Sequence, residues 1–444
     1  MKRLANRFSL PLNTVFWGIG SFQALAMFRR SLFYAYLSIY LRYYLNLTVT
    51  ETTLFATLPM IANIVAQTVI WGRLSDRLQK RRTMILWGEF SGAVGTVLVW
   101  GLHVLTGIPQ LKGYILILGL TGVEIFWSMS NIAWSALISD LYPERRRNEV
   151  QGRLASVGGL GRLFGIWIGG LLYDGMGHLY NGWGFESGTL FFAAAAVMLI
   201  SMLPVMLLPE GGVDSRKTIA SPCDDQCQAA SVRLYIVFLA AMTLINFGRN
   251  GVMIIQSQYL FLDSGFAVSS KMLGYIFNTE TAAIILFGFF SGKIGHHLGN
   301  GRAVCLGALA SVMYLLLFVI SDNIMWIFVA NFIRGAGDVI ILAASYAMAS
   351  ILIPAAQRGR LFGYFNATLF LSWGVGGTLI AGPVADAVAF WGFPQAMAYK
   401  AAYLAGLAMT LTGLGVQMVL VFIMMPRVGI RKAVIPDDLQ RPGG

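Results

Sequence analysis

The sequence predicts an all-α membrane protein: 12 transmembrane helices in two pseudo-symmetric six-helix bundles, with both termini in the cytoplasm. Three observations predict it. First, 57% of the residues are hydrophobic and only 12% are charged, with a mean hydropathy of +0.68; a soluble chain carries about 25% charge. Second, the apolar residues gather into runs at 14–41, 52–71, 83–105, 114–139, 154–174, 188–208, 234–262, 272–292, 303–321, 324–350, 361–385 and 400–425. A membrane-spanning helix needs roughly 20 apolar residues. No run alternates as a barrel strand does, so the runs are helices that satisfy their own backbone. Third, the chain repeats. Phe28-Arg29-Arg30 recurs as Gly248-Arg249-Asn250, 220 positions on, and the same offset takes Gly72-Arg73-Leu74 to Gly292-Lys293-Ile294. Later the offset becomes 207: Gly152-Arg153-Leu154 matches Gly359-Arg360-Leu361, and Gly169-Gly170 matches Gly376-Gly377.

Along the chain, the basic start Met1-Lys2-Arg3-Leu4-Ala5-Asn6-Arg7 precedes a first run that is long and holds Arg29 and Arg30, unlike a cleavable signal. The second and third runs flank a hairpin, Gly72-Arg73-Leu74-Ser75-Asp76-Arg77-Leu78-Gln79-Lys80-Arg81-Arg82, that packs six charges. The third run carries Glu89 near its cytoplasmic end and the fourth carries Glu124 and Trp127. The fifth is rich in glycine, and the sixth ends at a charged linker, Gly211-Gly212-Val213-Asp214-Ser215-Arg216-Lys217. Arg249 lies in the seventh run, Glu280 in the eighth, Cys305 in the ninth, and Arg334 and Asp338 in the tenth. The domains are therefore a first bundle at 1–209, a cytosolic linker at 210–232, a second bundle at 233–426 and a cytosolic tail at 427–444. Of the 32 Lys and Arg, 23 fall in the termini and the even-to-odd loops, four in the odd-to-even loops and five in the runs. That split places both termini inside and makes a multi-pass protein of the cytoplasmic (inner) membrane the expectation. Topology alone accounts for the net charge of +12, so no nucleic-acid partner is implied. Cys223 and Cys227 in the linker read as two reduced thiols rather than a metal site, because no histidine lies near them.

The hairpin pattern Gly72-x-Leu74-Ser75-Asp76-Arg77 with its following basic cluster resembles the loop signature of the major facilitator superfamily. Two bundles related by a parallel repeat are that family's architecture. The resemblance implies a gate: Asp76 meets the positive N-terminal end of the eleventh helix, Gly72 lets helices approach, and Arg77 and Arg82 pair with Asp140. The second copy of the hairpin lacks the lock, with His296 at the place of Asp76. Gly152, Gly161, Gly165, Gly169 and Gly170 resemble the antiporter signature of the drug:proton branch, with Ile166 where that signature has proline. Glycines four apart form a groove for another helix.

Charges inside a bilayer cost about 2.5–3.5 kcal/mol each on insertion scales, so they are paired, wet or functional. Five arginines (Arg29, Arg30, Arg162, Arg249 and Arg334) face three central acids, Glu124, Glu280 and Asp338, which leaves a positive surplus. Arg334 and Asp338 are four apart and share a helix face. The facilitator resemblance implies that the first, fourth, seventh and tenth helices line one cavity. That makes Arg29, Arg30, Arg249 and Arg334, with Tyr36 and Trp127, the candidate substrate ligands, and Glu124, Asp338 and Glu280 the candidate proton carriers. Arginine's fork suits carboxylate and phosphate. Arg249-Asn250-Gly251-Val252-Met253 is similar to the seventh helix of the organophosphate:phosphate antiporters, whose first helix also bears a basic pair. Arg162 reads as a tie between helices.

A secondary active transporter of a small organic solute, anionic or amphipathic, is the reading that follows: a monomer needing no cofactor or metal, working by alternating access as a proton-coupled efflux antiporter. The alternatives are an organic-anion or organophosphate exchanger built on Arg29 and Arg249, and a non-transporting receptor or assembly protein. The absence of Gly-x4-Gly-Lys-Ser/Thr argues against an ATP-driven pump, and the absence of His-Glu-x-x-His or Gly-x-Ser-x-Gly argues against an enzyme.

Overall fold

The computed structural model describes residues 12–142, 144–211, 225–353 and 358–427. Cys223 and the side chains of Cys227 and Asp76 lie outside the described residues. The helices are α1 (Leu12–Ile39, closing on a π-helical turn Tyr40–Tyr44), α2 (Val49–Val65, running through a π turn Ala66–Trp71 into Gly72–Leu78), α3 (Arg81–Leu105), α4 (Pro109–Leu141), α5 (Glu144–Tyr173), α6 (Thr189–Met206), α7 (Asp225–Gly251, resuming as Met253–Phe261), α8 (Ser270–Leu298), α9 (Asn300–Ile320), α10 (Ile324–Leu352), α11 (Arg358–Gly376, continued through Gly377–Ala381 into Gly382–Phe390) and α12 (Gln395–Val419). No strand occurs among the described residues. Among the described residues, ten helices are long and apolar enough to cross a membrane. α1 and α8, which hold Arg29 and Arg30 and Lys271 and Glu280, fall outside that set. Large apolar side chains such as Leu98, Leu203, Leu207 and Leu379 are exposed. Only a hydrocarbon surrounding makes such a surface cheap.

The chain forms two compact units. One comprises the described residues of Met1–Thr48, Leu54–Arg216 and Ser269–Tyr275; the other comprises those of Val49–Thr53, Lys217–Val268 and Ile276–Gly444. The first unit packs α1 on α5, α3 on α4, α3 on α6 and α1 on α6. The second packs α7 on α11, α9 on α10, α9 on α12 and α7 on α12. Each pairing recurs six helices later, so the internal repeat seen in the sequence is a repeat of packing.

Glycines make these seams. A Cβ on Gly161, Gly165 or Gly169 of α5 would collide with the carbonyls of Ala24, Phe28 and Leu32 on α1. Three positions four apart on each helix thus meet backbone to backbone, and any side chain would force the pair apart. In the second unit a Cβ on Gly251 of α7 would lie 3.0 Å from the Gly376 carbonyl oxygen of α11.

Two helix starts are held by carboxylates. In the second unit Asp386 of α11 accepts the Val49 and Thr50 amides (3.1 and 2.8 Å), capping the first turn of α2. In the first unit Asp174 accepts the Ser270 hydroxyl at the start of α8.

Between α5 and α6 the chain turns through Gly175, Met176, Gly177, Gly182 and Gly188, all with positive φ. There Glu186 accepts the phenols of Tyr44 and Tyr180 and lies 3.9 Å from the Lys112 ammonium. Burial pushes its carboxyl up, but the two phenols and Lys112 outweigh this and hold it below the usual carboxylate range. A depressed folded value stabilises above the unfolded carboxylate value of about 4.3 and is lost as pH falls through the folded one. Purified wild-type protein should therefore melt above Glu186→Gln at neutral pH, and the gap should close in acid. Melting curves across pH check this; a gap independent of pH would remove the charge from the account.

Candidate functional site

Each unit buries its own charged cluster. In the first unit Arg29 of α1 is 8% exposed, and its guanidinium carbon sits 4.7 Å over the Trp127 ring of α4. Its Nε has no hydrogen-bond partner. The indole N–H of Trp127 donates to Glu89 Oε1 at 2.9 Å, and the Ser130 hydroxyl donates to the same oxygen at 2.7 Å. Gly88 explains how Glu89 gets there. A Cβ on Gly88 would lie 2.7 Å from the Ser130 amide, so α3 touches α4 and carries its next residue against Trp127. One turn away on α4, Glu124 accepts the Asn63 amide at 2.5 Å, and Gln67 in turn donates to Asn63 at 2.7 Å. Tyr34 stacks on Phe55 beside this group. Arg30 is exposed.

The second unit closes a tighter network. Arg249 of α7 pairs with Asp338 of α10, and its Nε donates to Asn246 at 3.2 Å. Arg334, 3% exposed, donates to Gln256 Oε1 at 2.7 Å and to the Tyr314 hydroxyl at 3.2 Å. It lies 3.8 Å from Glu280 of α8 and 3.9 Å from Asp338, its neighbour one helical turn on. Gln256 donates onward to Asn331 at 2.7 Å. Two arginines and two acids are therefore neutralised within one set of helices.

The charged hairpin is buttressed from the first unit. Gln79, at φ 52°, breaks the helix before α3. Arg81, buried, reaches the Ser75 hydroxyl and Asp140 (3.4 Å). Arg82 pairs with Glu210 at 3.1 Å and donates to the Leu208 carbonyl, while Glu210 accepts the Thr83 amide at 3.0 Å. Gly72 packs against Gln67 and Ile132. Arg77 is exposed.

Three expectations change. Asp140 receives Arg81, and Arg82 turns to Glu210, because the left-handed residue at Gln79 reorients the start of α3. Tyr36 is fully buried: its hydroxyl donates to the Ile166 carbonyl at 2.9 Å and its ring stacks on Tyr173. The Gly169-Gly170 contact encloses it in the α1–α5 seam, so it packs rather than waiting for a ligand. The positive surplus also shrinks. Glu89 joins Glu124 near Arg29, so four acids rather than three stand among the arginines of the runs. Gly170 lies against the Tyr36 hydroxyl. Sequence reasoning passed over Asn63, Gln256, Tyr314 and Glu210, and it gave Glu89 and Arg81 no part in a site. The signal for Glu89 was Gly88 beside it, and for Asn63 it was Gln67, four residues on in an otherwise apolar run.

The family model of the Major Facilitator Superfamily matches residues 19–377. The chain is 24% identical over 328 residues to the multi-drug resistance efflux pump PmrA of Streptococcus pneumoniae, covering 71% of this chain and 75% of that one. Its fold resembles a mutant of the nucleoside transporter NupG (TM-score 0.70, 13% identity, 92% of this chain and 100% of that one). It also resembles a bacterial homologue of the lysosomal transporter Spinster, inward-facing and unoccupied (0.69, 14%, 94% and 97%), and a peptide transporter POT with sulfate (0.67, 14%, 94% and 95%). The chain belongs to the Major Facilitator Superfamily and is a multi-pass integral membrane transporter.

Arg334 is the counter-charge of the buried Glu280 and shares the half-buried Asp338 with Arg249, so its loss leaves Glu280 uncompensated. Arg334→Ala should destabilise the protein by about 3–5 kcal/mol, read as a large drop in melting temperature in detergent. Adding Glu280→Gln should recover part of the loss; equal melting of wild type and Arg334→Ala would make the network energetically idle.

Proposed function

We propose that this facilitator exports a small organic solute in exchange for protons, alternating access through 12 spanning helices with both termini in the cytoplasm of an inner-membrane monomer. The bundles are 1–209 and 233–426, joined by the linker 210–232 and followed by the tail 427–444. The observation that carries the reading is Arg29: a buried guanidinium laid on the face of Trp127, with one N–H unpartnered, near the buried carboxyl group of Glu89 and the half-buried one of Glu124. An aromatic face suits an amphipathic solute, and a buried acid suits a proton. The 24% identity to an efflux pump supports the direction. Asp338 and Glu280 serve as further proton sites, with Arg249 and Arg334 as their counter-ions, and Asp76 as the conformational latch of the hairpin.

A second reading, exchange of an organic anion, is favoured by the same unpartnered Arg29 N–H. Arg29→Ala should then weaken binding of that anion by about 2–5 kcal/mol, and lysine should rescue only in part. If Arg29→Ala combined with Glu124→Gln restores transport, the arginine is a counter-ion and the anion reading falls.

Flux of ethidium, as an amphipathic probe, into proteoliposomes should follow an imposed pH gradient; flux blind to the gradient would exclude proton exchange. Asp76→Asn should slow turnover strongly while leaving probe binding near the wild-type level. Wild-type turnover in that variant would remove the latch.

A further inference from the structure

Glu89 is a buried carboxyl group that the reading above needs only as a neighbour. It is 1% exposed, and the hydrogen bonds to it are from neutral donors, Trp127 Nε1–H and Ser130 Oγ–H, both to Oε1. Indole is a donor only, so Oε1 is an acceptor in every protonation state. A proton on this group therefore sits on Oε2, and adding it breaks neither hydrogen bond. The surrounding charges are few. Arg29 approaches from α1 through the Trp127 ring, with Arg30 next to it in sequence. Glu124 lies one turn before Trp127 on α4. α6, the other helix packed on α3, contributes no charged residue and faces Glu89 with Ser201. The site is thus built to hold the group in either charge state, with one cation near enough to feel the difference.

We propose that Glu89 is a proton-carrying residue of the transport cycle, a station beyond Glu124 toward the Arg81–Asp140 end of the first unit, and that its charge state governs Arg29. It rests on the proton-coupled reading above. The step is one proton: hydronium delivers it to Oε2, leaving water and a neutral acid, and the return step gives it back to water. With Glu89 charged, Arg29 feels two nearby carboxylates as well as the indole face beneath it. With Glu89 neutral, one of those attractions is gone, and the guanidinium is free to change partners. Trp127 ties the two events together, since one ring bears the cation on its face and bonds the acid at its edge. The bond from Asn63 to Glu124 on the neighbouring turn gives the proton an earlier stop.

The test has two arms. Infrared difference spectra of the purified protein, stepped from alkaline to acid buffer, should contain a protonated-carboxyl band. That component should remain in Glu124→Gln and vanish in Glu89→Gln. Ser130→Ala, a small change that preserves packing, removes a donor that favours the anion, so it should move the band's midpoint to higher pH. Spectra of wild type, Glu89→Gln and Ser130→Ala that superimpose would overturn the proposal; should Glu89→Gln fail to fold, the Ser130→Ala shift alone decides. In proteoliposomes with ethidium, Glu89→Gln should lose flux driven by a pH gradient and keep flux driven by the dye's own gradient. Gradient-driven flux at the wild-type level in Glu89→Gln would likewise overturn it. If wild-type flux ignores the pH gradient, proton exchange falls, and the infrared band alone decides whether Glu89 titrates.

Discussion

Hydrocarbon tolerates no unpaired charge and no unsatisfied backbone, and the structure is organised around that constraint. Beyond their first turns the described helices satisfy their own amides, which leaves most polar side chains for other work. The chain spends them on two compact clusters, one in each unit. Arg249, Arg334, Glu280 and Asp338 form one; Arg29, Glu89 and Glu124 form the other, with Arg30 at its exposed edge. In the second unit each arginine is matched by an acid on a different helix or on the next turn of its own, while Arg29 lies on an indole face near two acids. A charged group held this way ties helices together.

The helices can bring those side chains together only because their backbones touch. Gly161, Gly165 and Gly169 seat α5 against α1, Gly88 seats α3 against α4, and Gly251 seats α7 against α11. Side-chain packing alone contributes little preference between a neighbouring helix and lipid, since both are apolar. The close seams therefore fix which faces meet. Gly88 is the clearest instance: removing one Cβ brings the next residue, Glu89, within hydrogen-bonding reach of Trp127. Packing and chemistry are set by adjacent residues.

The helical class, the repeat and the hairpin were legible in the sequence because each rests on a periodic or local signal: apolar run length, an offset of 220 or 207 residues, and six charges in a short loop. The glycine seam on α5 was legible for the same reason. Partnerships were not. Asp140 takes Arg81 because one residue, Gln79, adopts a left-handed conformation that no spacing rule anticipates. Tyr36 looked available because it is an aromatic residue on a helix expected to line the cavity, yet the seam encloses it. Glu89 looked peripheral because depth was judged along α3 alone, whereas its environment comes from α4. Contacts across helices depend on tilt and rotation, which are properties of the packed bundle.

The two clusters differ in how completely their polar groups are satisfied. Arg334 bonds Gln256 and Tyr314, lies near two acids, and stacks 5.0 Å above the Tyr314 ring. Such a network is rigid, because moving any member strands another in a low dielectric. Arg29 has a ring beneath it, acids nearby and a buried N–H with no partner, a deficit worth about 1–3 kcal/mol. Glu89 and Glu124 meet neutral donors rather than a guanidinium fork. Their bonds survive a change of charge that would break the ion pairs of the second unit. The second unit's network is thus the more completely satisfied, and the first unit's is the one with a buried donor left over.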